Sequence, residues 1–208
     1  MSCQSHKQSV REKLIKSAEI YKSVFMDYDY LIYSNGFYNN PYYIINAHED
    51  NFAHLTGVKS LIPAYDFYVA CLNNSLKETD FDFINKKHCE KSVKGTVRRK
   101  LQVFTELKDF FTHNLKSEED FTKGRVSCTI GTADDKITIG FIESINIRPM
   151  TLLKGCCLEY TKIVNISLVL RRNKNSKSFD TVIQGETGDL LDLISNCINM
   201  RWQGVKKG

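Results

Sequence analysis

The sequence predicts an α+β fold in which N-terminal helices pack on an antiparallel β-sheet. Helical patterns come first along the chain and strand patterns mostly later, an order that is typical of this class. The chain has 208 residues, of which 42% are hydrophobic and three are prolines. It is long enough to bury one core and too short to indicate several, so we expect a single domain over residues 1–208.

The first elements are a helix and a hairpin. Apolar residues recur at three- and four-residue spacing over residues 10–25, and Ser9 and Glu12 have the spacing of a capping box at the helix start. Two β-prone runs follow at residues 29–34 and 42–47, separated by Asn-Gly and Asn-Asn-Pro turn residues. These patterns predict an amphipathic helix followed by a β-hairpin.

Helical patterns return after the hairpin. Pro63 can occupy the first turn of a helix that follows the HLTG stretch. Residues 92–113 are predicted to form the longest helix, with Arg98, Arg99 and Lys100 around its first turns. The other predicted elements are a brief strand or loop at 80–84, a polar connector at 117–123, a second hairpin of 125–131 and 137–142, strands at 162–171 and 179–184, and a closing helix at 190–198.

Basic residues are unevenly distributed, although the net charge is only +5. Such clusters suit binding to a phosphate backbone, or else form solvated faces that keep a protein soluble. The clusters are Lys94, Arg98, Arg99 and Lys100; Arg171, Arg172, Lys174 and Lys177; and Lys206 with Lys207. The Gly-rich phosphate loops of nucleotide hydrolases and dehydrogenases are absent from the sequence, which argues against those enzyme classes.

The cysteines indicate a reduced, cytoplasmic protein. Seven of them occur at irregular spacings, and no charged segment followed by an apolar one opens the chain as a secretory signal would. The spacings do not match zinc-finger ligands, and adjacent cysteines such as Cys156 and Cys157 rarely bridge each other, so we expect neither a metal ion nor another cofactor. No apolar run approaches the roughly 20 residues that a membrane span requires.

His54 is the histidine whose surroundings point most clearly to chemistry. In the stretch NFAHLTGV, residues 51–58, apolar side chains surround it, while Thr56 and Gly57 place a hydroxyl and a flexible backbone beside it. Histidine is the usual side chain for proton transfer near neutral pH. A half-buried histidine bonded to a backbone carbonyl is the alternative interpretation. The other histidines, His6, His48, His88 and His113, have no partner at an informative spacing.

The stretch NFAHLTGVKSL resembles the HLTG signature of the fourth phage-associated group of Barnase–EndoU–colicin–RelE-like (BECR) nuclease domains. The helical segment SVKGTVRRKLQVFTEL looks like the same family, as does the late order ITIGFIES, IRPMTLL, ISLVLRRNKN and FDTVIQG. The resemblance covers residues 21–185, and HLTG is its specific part. The chain differs from the family pattern at one point, where Thr151 follows Pro149 and Met150 in place of a serine and keeps the hydroxyl.

This resemblance implies a metal-independent endoribonuclease, acting as a toxin or a phage or mobile-element effector in the cytoplasm of a bacterial host. RNA cleavage by 2′-OH attack needs a base, donors that stabilise the charged transition state, and an acid for the leaving 5′-oxygen. The expected catalytic residues are His54 as base or acid, Lys100 as part of the phosphate clamp, and Thr56 and Thr151 as hydrogen-bond donors. The expected substrate-binding residues, which would contact tRNA or mRNA, are Arg98, Arg99, Arg171 and Lys174.

Two other functions remain open. A non-catalytic phage or mobile-element protein could use the same fold to inhibit a host or defence protein, as an anti-defence or anti-CRISPR protein does. A toxin restrained by an antitoxin is the other possibility. Six tyrosines in residues 28–43 could stack bases, form a protein interface or pack in the sheet. In a nuclease, the four catalytic candidates should converge on one basic cleft, whereas in an inhibitor they would be scattered or buried.

Overall fold

The computed structural model describes residues 5–84 and 89–186. In this part of the chain, helices pack on one face of a nine-stranded sheet, and the main hydrophobic core lies between the two layers. This arrangement confirms the predicted α+β class. The α-helices are α1 (His6–Tyr21), α2 (Asn51–Thr56), α3 (Ala64–Leu72) and α4 (Glu90–Val103).

The strands are mostly short. They are β1 (Tyr28–Tyr33), β2 (Tyr42–Ile45), β3 (Lys59–Ser60), β4 (Phe81–Asp82), β5 (Lys116–Glu119), β6 (Thr122–Lys123), β7 (Val126–Ser127), β8 (Ile130–Ala133), β9 (Ile137–Glu143), β10 (Ile147–Lys154), β11 (Val164–Asn165), β12 (Leu168–Asn173) and β13 (Thr181–Gln184). The large sheet has the order β11-β5-β8-β9-β10-β2-β1-β12-β13, while β3 with β4 and β6 with β7 form separate ribbons. Strands β10 and β2 are parallel, and the other neighbours in the sheet are antiparallel.

Helix α1 begins before the predicted start. Ser5 is its N-cap, and the Ser5 hydroxyl oxygen accepts a hydrogen bond from the Gln8 amide at 3.0 Å. Ser9 already lies within the helix, where its amide donates to Ser5 O. The predicted capping box of Ser9 and Glu12 is therefore wrong, although most of the predicted apolar face of the helix is buried.

The predicted long helix changes its geometry midway. Helix α4 ends at Val103, and the chain continues as a 3₁₀ helix over Phe104–Thr112. In the second part, Phe104, Leu107 and Phe110 are buried at a spacing of three residues, which matches the three residues per turn of a 3₁₀ helix. The α-helical part alone has 14 residues, fewer than the 16 of α1, but with the 3₁₀ helix it forms a continuous helical segment over 90–112 that corresponds to the predicted helix.

Both predicted hairpins are confirmed. Strand β1 pairs antiparallel with β2, and β8 pairs antiparallel with β9. The predicted strands at residues 162–171 and 179–184 correspond largely to β12 and β13, which also pair with each other. Strand β12 then pairs with β1, which places the first hairpin well inside the sheet.

The predicted polar connector at residues 117–123 is instead mainly strand. Strand β5 pairs with β8, and its residues Ser117, Glu118 and Glu119 are buried. The buried carboxylates are stabilised because they accept hydrogen bonds from distant backbone amides: Glu119 from Tyr38 at 2.6 Å, and Glu118 from Glu159 at 2.6 Å. Local polarity therefore predicted the wrong structure for this segment.

Replacing Glu119 by glutamine should destabilise the protein. Its carboxylate accepts bonds from the amides of Tyr38 and Asn39 and from the Tyr43 hydroxyl, and an amide group cannot accept all of them. We expect the free energy of unfolding to fall by about 1–3 kcal/mol, measured by urea denaturation. The exposed Glu19 is the matched control, and an equal loss in Glu19→Gln would contradict this role.

Aromatic rings hold α2 against the other helices. The Phe52 ring on α2 lies 5.4 Å from that of Tyr21, 5.5 Å from Tyr68, 5.8 Å from Phe104 and 6.0 Å from Phe67, measured between centroids. Ring pairs at these separations attract one another beyond the effect of burial alone. Helix α2 is thus anchored to α1, to α3 and to the start of the 3₁₀ helix.

No helix within residues 5–84 and 89–186 is long and apolar enough to cross a membrane. Several predicted features lie outside the described residues. They are the closing helix at 190–198, His88, Cys3, Cys197, and Lys206 with Lys207.

Candidate functional site

Helix α2 contains most of the HLTG motif, whereas the sequence analysis predicts a helix only after it. Phe52 and Leu55 are buried in the core, and His54 between them is exposed. Gly57 ends the helix with a φ of 78°, and its amide donates to Ala53 O at 3.3 Å. Glycine adopts this left-handed conformation without the steric cost of a side chain. The motif therefore presents the His54 imidazole to solvent near the end of a short helix.

Lys100 crosses over Gly57 and places its ammonium at the end of α2. Its Nζ donates a hydrogen bond to the backbone carbonyl of His54 at 3.0 Å. A Cβ at position 57 would lie 2.9 Å from Lys100 Cδ, so glycine leaves the space that this side chain occupies. Two residues that are 46 positions apart in the sequence are thereby brought together.

The environment of Lys100 changes its acidity. Burial lowers the pKa of Lys100 to about 8, because the charged ammonium is less well solvated than in water. Such a group is still mostly protonated at pH 7, and it gives up its proton more readily than an exposed lysine does. A lowered lysine pKa of this kind is common where a side chain takes part in chemistry.

The two candidate threonines do not join this pair. The Thr56 hydroxyl is buried and donates to Ala53 O at 2.8 Å, inside α2 itself. Thr151 on β10 pairs with Gly140, and the next residue, Leu152, lies in the core between sheet and helices. Because successive strand residues point to opposite faces, the Thr151 side chain points away from the helices. Of the four predicted catalytic residues, His54 and Lys100 contact each other, through the backbone carbonyl of His54.

Arg98 and Arg99 are exposed on α4, next to Lys100 in sequence. They lie in the second half of the helix, which begins at Glu90, and not around its first turns as predicted. Arg99 Nη2 donates to Thr96 Oγ1 at 3.4 Å. The two guanidinium groups add positive charge to the surface of α4 and can attract an anionic substrate.

Arg171 and Lys174 are held within the fold. The Arg171 guanidinium carbon lies 4.3 Å from the centroid of the Tyr28 ring. The Lys174 ammonium donates to Ala47 O, and burial lowers the pKa of this lysine. Both side chains therefore connect β12 to neighbouring segments, and neither extends an exposed basic track.

His113 has a partner that the sequence analysis missed. His113 Nδ1 lies 2.7 Å from Asp134 Oδ2, while Asp134 Oδ1 accepts bonds from the amides of Lys136 and Ile137. Asp134 is buried, and both residues line a cavity of about 440 Å³. The pair joins the end of the 3₁₀ helix to the β8–β9 turn, and no local spacing signals such a contact. A carboxylate in this position fixes the orientation and tautomer of an imidazole.

The His54–Lys100 pair is suited to acid–base chemistry on an anionic substrate. An exposed imidazole can accept or donate a proton, and an ammonium held at the backbone carbonyl of the same residue can stabilise developing negative charge. Within the described ranges, no group of three His, Cys, Asp or Glu side chains is placed to hold a metal ion.

A comparison with protein-family models identifies the chain's relatives. Residues 13–178 match the family model described as phage-Barnase-EndoU-ColicinE5/D-RelE like nuclease4. No curated protein and no solved structure matches the chain. Because the match spans well over half of the sequence, the protein belongs to this phage-associated BECR family, and its function is of the nuclease type, with nucleic acid as substrate.

Proposed function

We propose that the protein is a metal-independent endoribonuclease that cleaves RNA by attack of a 2′-OH on the adjacent phosphodiester. The observation that carries this proposal is the contact between Lys100 and His54, in which the ammonium lies against the motif that presents an exposed imidazole. Membership of a nuclease family supports nucleic acid as the substrate class.

In the proposed reaction, His54 transfers protons. The neutral imidazole removes the 2′-OH proton as the bond between the 2′-oxygen and phosphorus forms, and solvent water supplies the proton that the 5′-oxygen takes up as its bond to phosphorus breaks. Lys100 stabilises the negative charge that builds up on the phosphoryl oxygens. The products are a 2′,3′-cyclic phosphate and a free 5′-OH, and Arg98 and Arg99 hold neighbouring phosphates.

Catalytic roles in this proposal are limited to His54 and Lys100. Thr56 stabilises α2 through its bond to Ala53 O. The Thr151 side chain lies on the other face of the sheet, against Gly140.

The tyrosines of residues 28–43 do not support a non-catalytic inhibitor. Tyr38 is 68% exposed, whereas the others pack in the sheet: Tyr30, Tyr42 and Tyr43 are buried and Tyr28 and Tyr33 half-buried. One exposed ring does not form the aromatic patch that a protein-binding surface typically shows. A toxin restrained by an antitoxin would be the same nuclease with an added partner, and it would inhibit growth when expressed without that partner.

Cleavage of total RNA and tRNA by purified protein in the presence of EDTA tests the proposal. We expect the wild type to produce 2′,3′-cyclic phosphate ends. His54→Ala and Lys100→Ala should each lower the cleavage rate by about a hundredfold or more. His113→Ala is the matched control, since it removes another imidazole, and it should retain activity. Circular dichroism would verify that each variant is folded.

Three outcomes would contradict the proposal. Loss of cleavage in His113→Ala alone would place the chemistry at the His113–Asp134 pair. Cleavage that EDTA abolishes and Mg²⁺ restores would exclude the metal-independent mechanism. Folded wild type that cleaves no RNA would favour a binding function, and a search for protein partners would follow.

A further inference from the structure

A polar cleft lies at the N-terminal end of α2, whereas Lys100 contacts its C-terminal end. Its volume is about 710 Å³, within the range typical of small-ligand sites. One side is the loop between β2 and α2, with Asn46, His48 and Glu49, and the other is the end of β12, with Asn173 and Asn175. The proposed function leaves these side chains without a role.

Both sides of the cleft are fixed by internal hydrogen bonds. The Tyr21 hydroxyl donates to His48 O at 2.7 Å, and the His48 amide donates to Asn51 Oδ1 at 2.9 Å. Lys174 ties the two sides together, because its ammonium donates to Ala47 O across the cleft. The cleft is therefore formed before any ligand binds, which lowers the entropic cost of binding.

Several polar groups that line the cleft have unused hydrogen-bonding capacity. Among the described residues, the side chains of His48, Glu49, Asn173 and Asn175 have no hydrogen bond or ion pair with one another or with any neighbour. Asn46 Nδ2 donates to Asp29 Oδ1 at 2.6 Å, so its amide oxygen stays available as an acceptor. Amide and carboxylate groups that converge in this way can recognise the edge of a planar heterocycle.

The charge of the lining argues against a phosphate and for a neutral ligand. Carboxylates of Asp27 and Glu49 line the cleft together with the ammonium of Lys174, which donates to Ala47 O. Because Asp27 is paired with Lys22 at 2.8 Å, the charges of Glu49 and Lys174 balance, and the lining is close to neutral. A carboxylate accepts hydrogen bonds from an exocyclic amino group, as in cytosine, and an asparagine amide pairs with adenine. Met26 and Tyr28 supply an apolar wall against which an unpaired base can pack.

We propose that this cleft binds an unpaired base with an exocyclic amino group, which is adenine, cytosine or guanine, next to the phosphodiester that is cleaved. The inference rests on the proposed function, because it takes the RNA to lie along α2. Glu49 lies two residues before the start of α2 at Asn51, and His54 is the fourth residue of this helix. The helix has six residues and is therefore about 9 Å long, a length on the scale of neighbouring nucleotides in an extended single strand, so a strand that runs along α2 can reach both the cleft and His54. The cleft would therefore select the base beside the cleavage site.

Binding of short oligonucleotides tests the inference without any need for cleavage. The probes are fluorescein-labelled 2′-deoxy tetranucleotides, which lack the attacking hydroxyl: all-deoxyuridine, or the same chain with one deoxyadenosine, deoxycytidine or deoxyguanosine. Fluorescence anisotropy should show about tenfold tighter binding when adenine, cytosine or guanine is present than with the all-deoxyuridine chain. Asn173→Ala and Glu49→Gln should each remove most of this preference.

Asn165→Ala is the matched control, since Asn165 is exposed on β11 toward the opposite edge of the sheet. A base preference that disappears in the cleft variants and persists in Asn165→Ala supports the inference, even if the protein cleaves no RNA. Equal binding of all four probes, or a preference that the cleft variants leave intact, would overturn it. RNA cleavage by His54 and Lys100 would then stand as a separate result.

Discussion

Replacing Lys100 by methionine is expected to remove most of the cleavage activity while keeping or raising the stability of the protein. Methionine retains an aliphatic chain over Gly57 and lacks the ammonium that burial disfavours. We expect kcat/KM for RNA cleavage to fall by about a hundredfold or more, the usual cost of losing one group that stabilises transition-state charge. Residues kept for function often lower the stability of a protein, so replacing such a residue removes activity without destabilising the fold.

The pKa of Lys100, about 8, also determines how activity and stability depend on pH. The unfolded chain has a lysine pKa of about 10.4, so between these two values the unfolded state binds more protons. The stability contribution of this residue therefore rises as the pH increases from 8 to about 10.4. Cleavage should change in the opposite direction, because the ammonium is lost as the pH passes 8.

Steady-state cleavage kinetics from pH 6 to 9.5 measure the activity, and urea denaturation at pH 7 and at pH 10 measures the free energy of unfolding. Lys91→Met is the matched control, since Lys91 lies exposed on the same helix, and it should leave both quantities nearly unchanged. A Lys100→Met variant that cleaves RNA at the wild-type rate would exclude this ammonium from the mechanism. Unfolding of that variant at a markedly lower urea concentration than the wild type would show that Lys100 mainly stabilises the fold.

The parts of the fold that sequence patterns predicted correctly are those in which local periodicity and burial agree. The α1 face, the hairpin of β1 with β2 and the apolar stripe leading to Phe110 all follow this rule. Strand β5 does not, because its buried Glu118 and Glu119 are stabilised by amides far away in sequence. Polarity alone cannot reveal a buried carboxylate whose partners are supplied by tertiary structure.

In the candidate site, too, some features could be predicted from the sequence, whereas others depend on tertiary contacts. The HLTG motif pointed to His54. The requirement for glycine at position 57 follows from the tertiary structure, because the Lys100 side chain crosses over Gly57. The role expected of Thr151 came from the family resemblance alone, and its place on the face away from the helices depends on the pairing of β10 with β9, in which the register shifts between Pro149 and Thr151. The contact of His113 with Asp134 depends on tertiary packing in a similar way.

Replacing Phe52 by alanine is expected to lower the free energy of unfolding by about 3–5 kcal/mol, the largest stability effect anticipated for a single substitution in the motif. Phe52 is fully buried, and its ring contacts those of Tyr21 and Tyr68, so the truncated side chain would leave a cavity beneath α2. For a chain of this size the thermal midpoint should fall by about 10 °C, measured by circular dichroism. In Phe52→Leu the leucine side chain fills much of this cavity, so the free energy of unfolding should fall considerably less than in Phe52→Ala.

The comparison of Phe52→Ala with His54→Ala separates the two roles of the motif. His54 is exposed and its side chain makes no hydrogen bond among the described residues, so its removal should leave the thermal midpoint within about 2 °C of the wild type. Phe52→Ala should also slow cleavage below its new midpoint, because α2 carries both His54 and the carbonyl that positions Lys100. Wild-type stability in Phe52→Ala would show that other contacts anchor α2. A large drop in His54→Ala would instead assign the histidine a structural role.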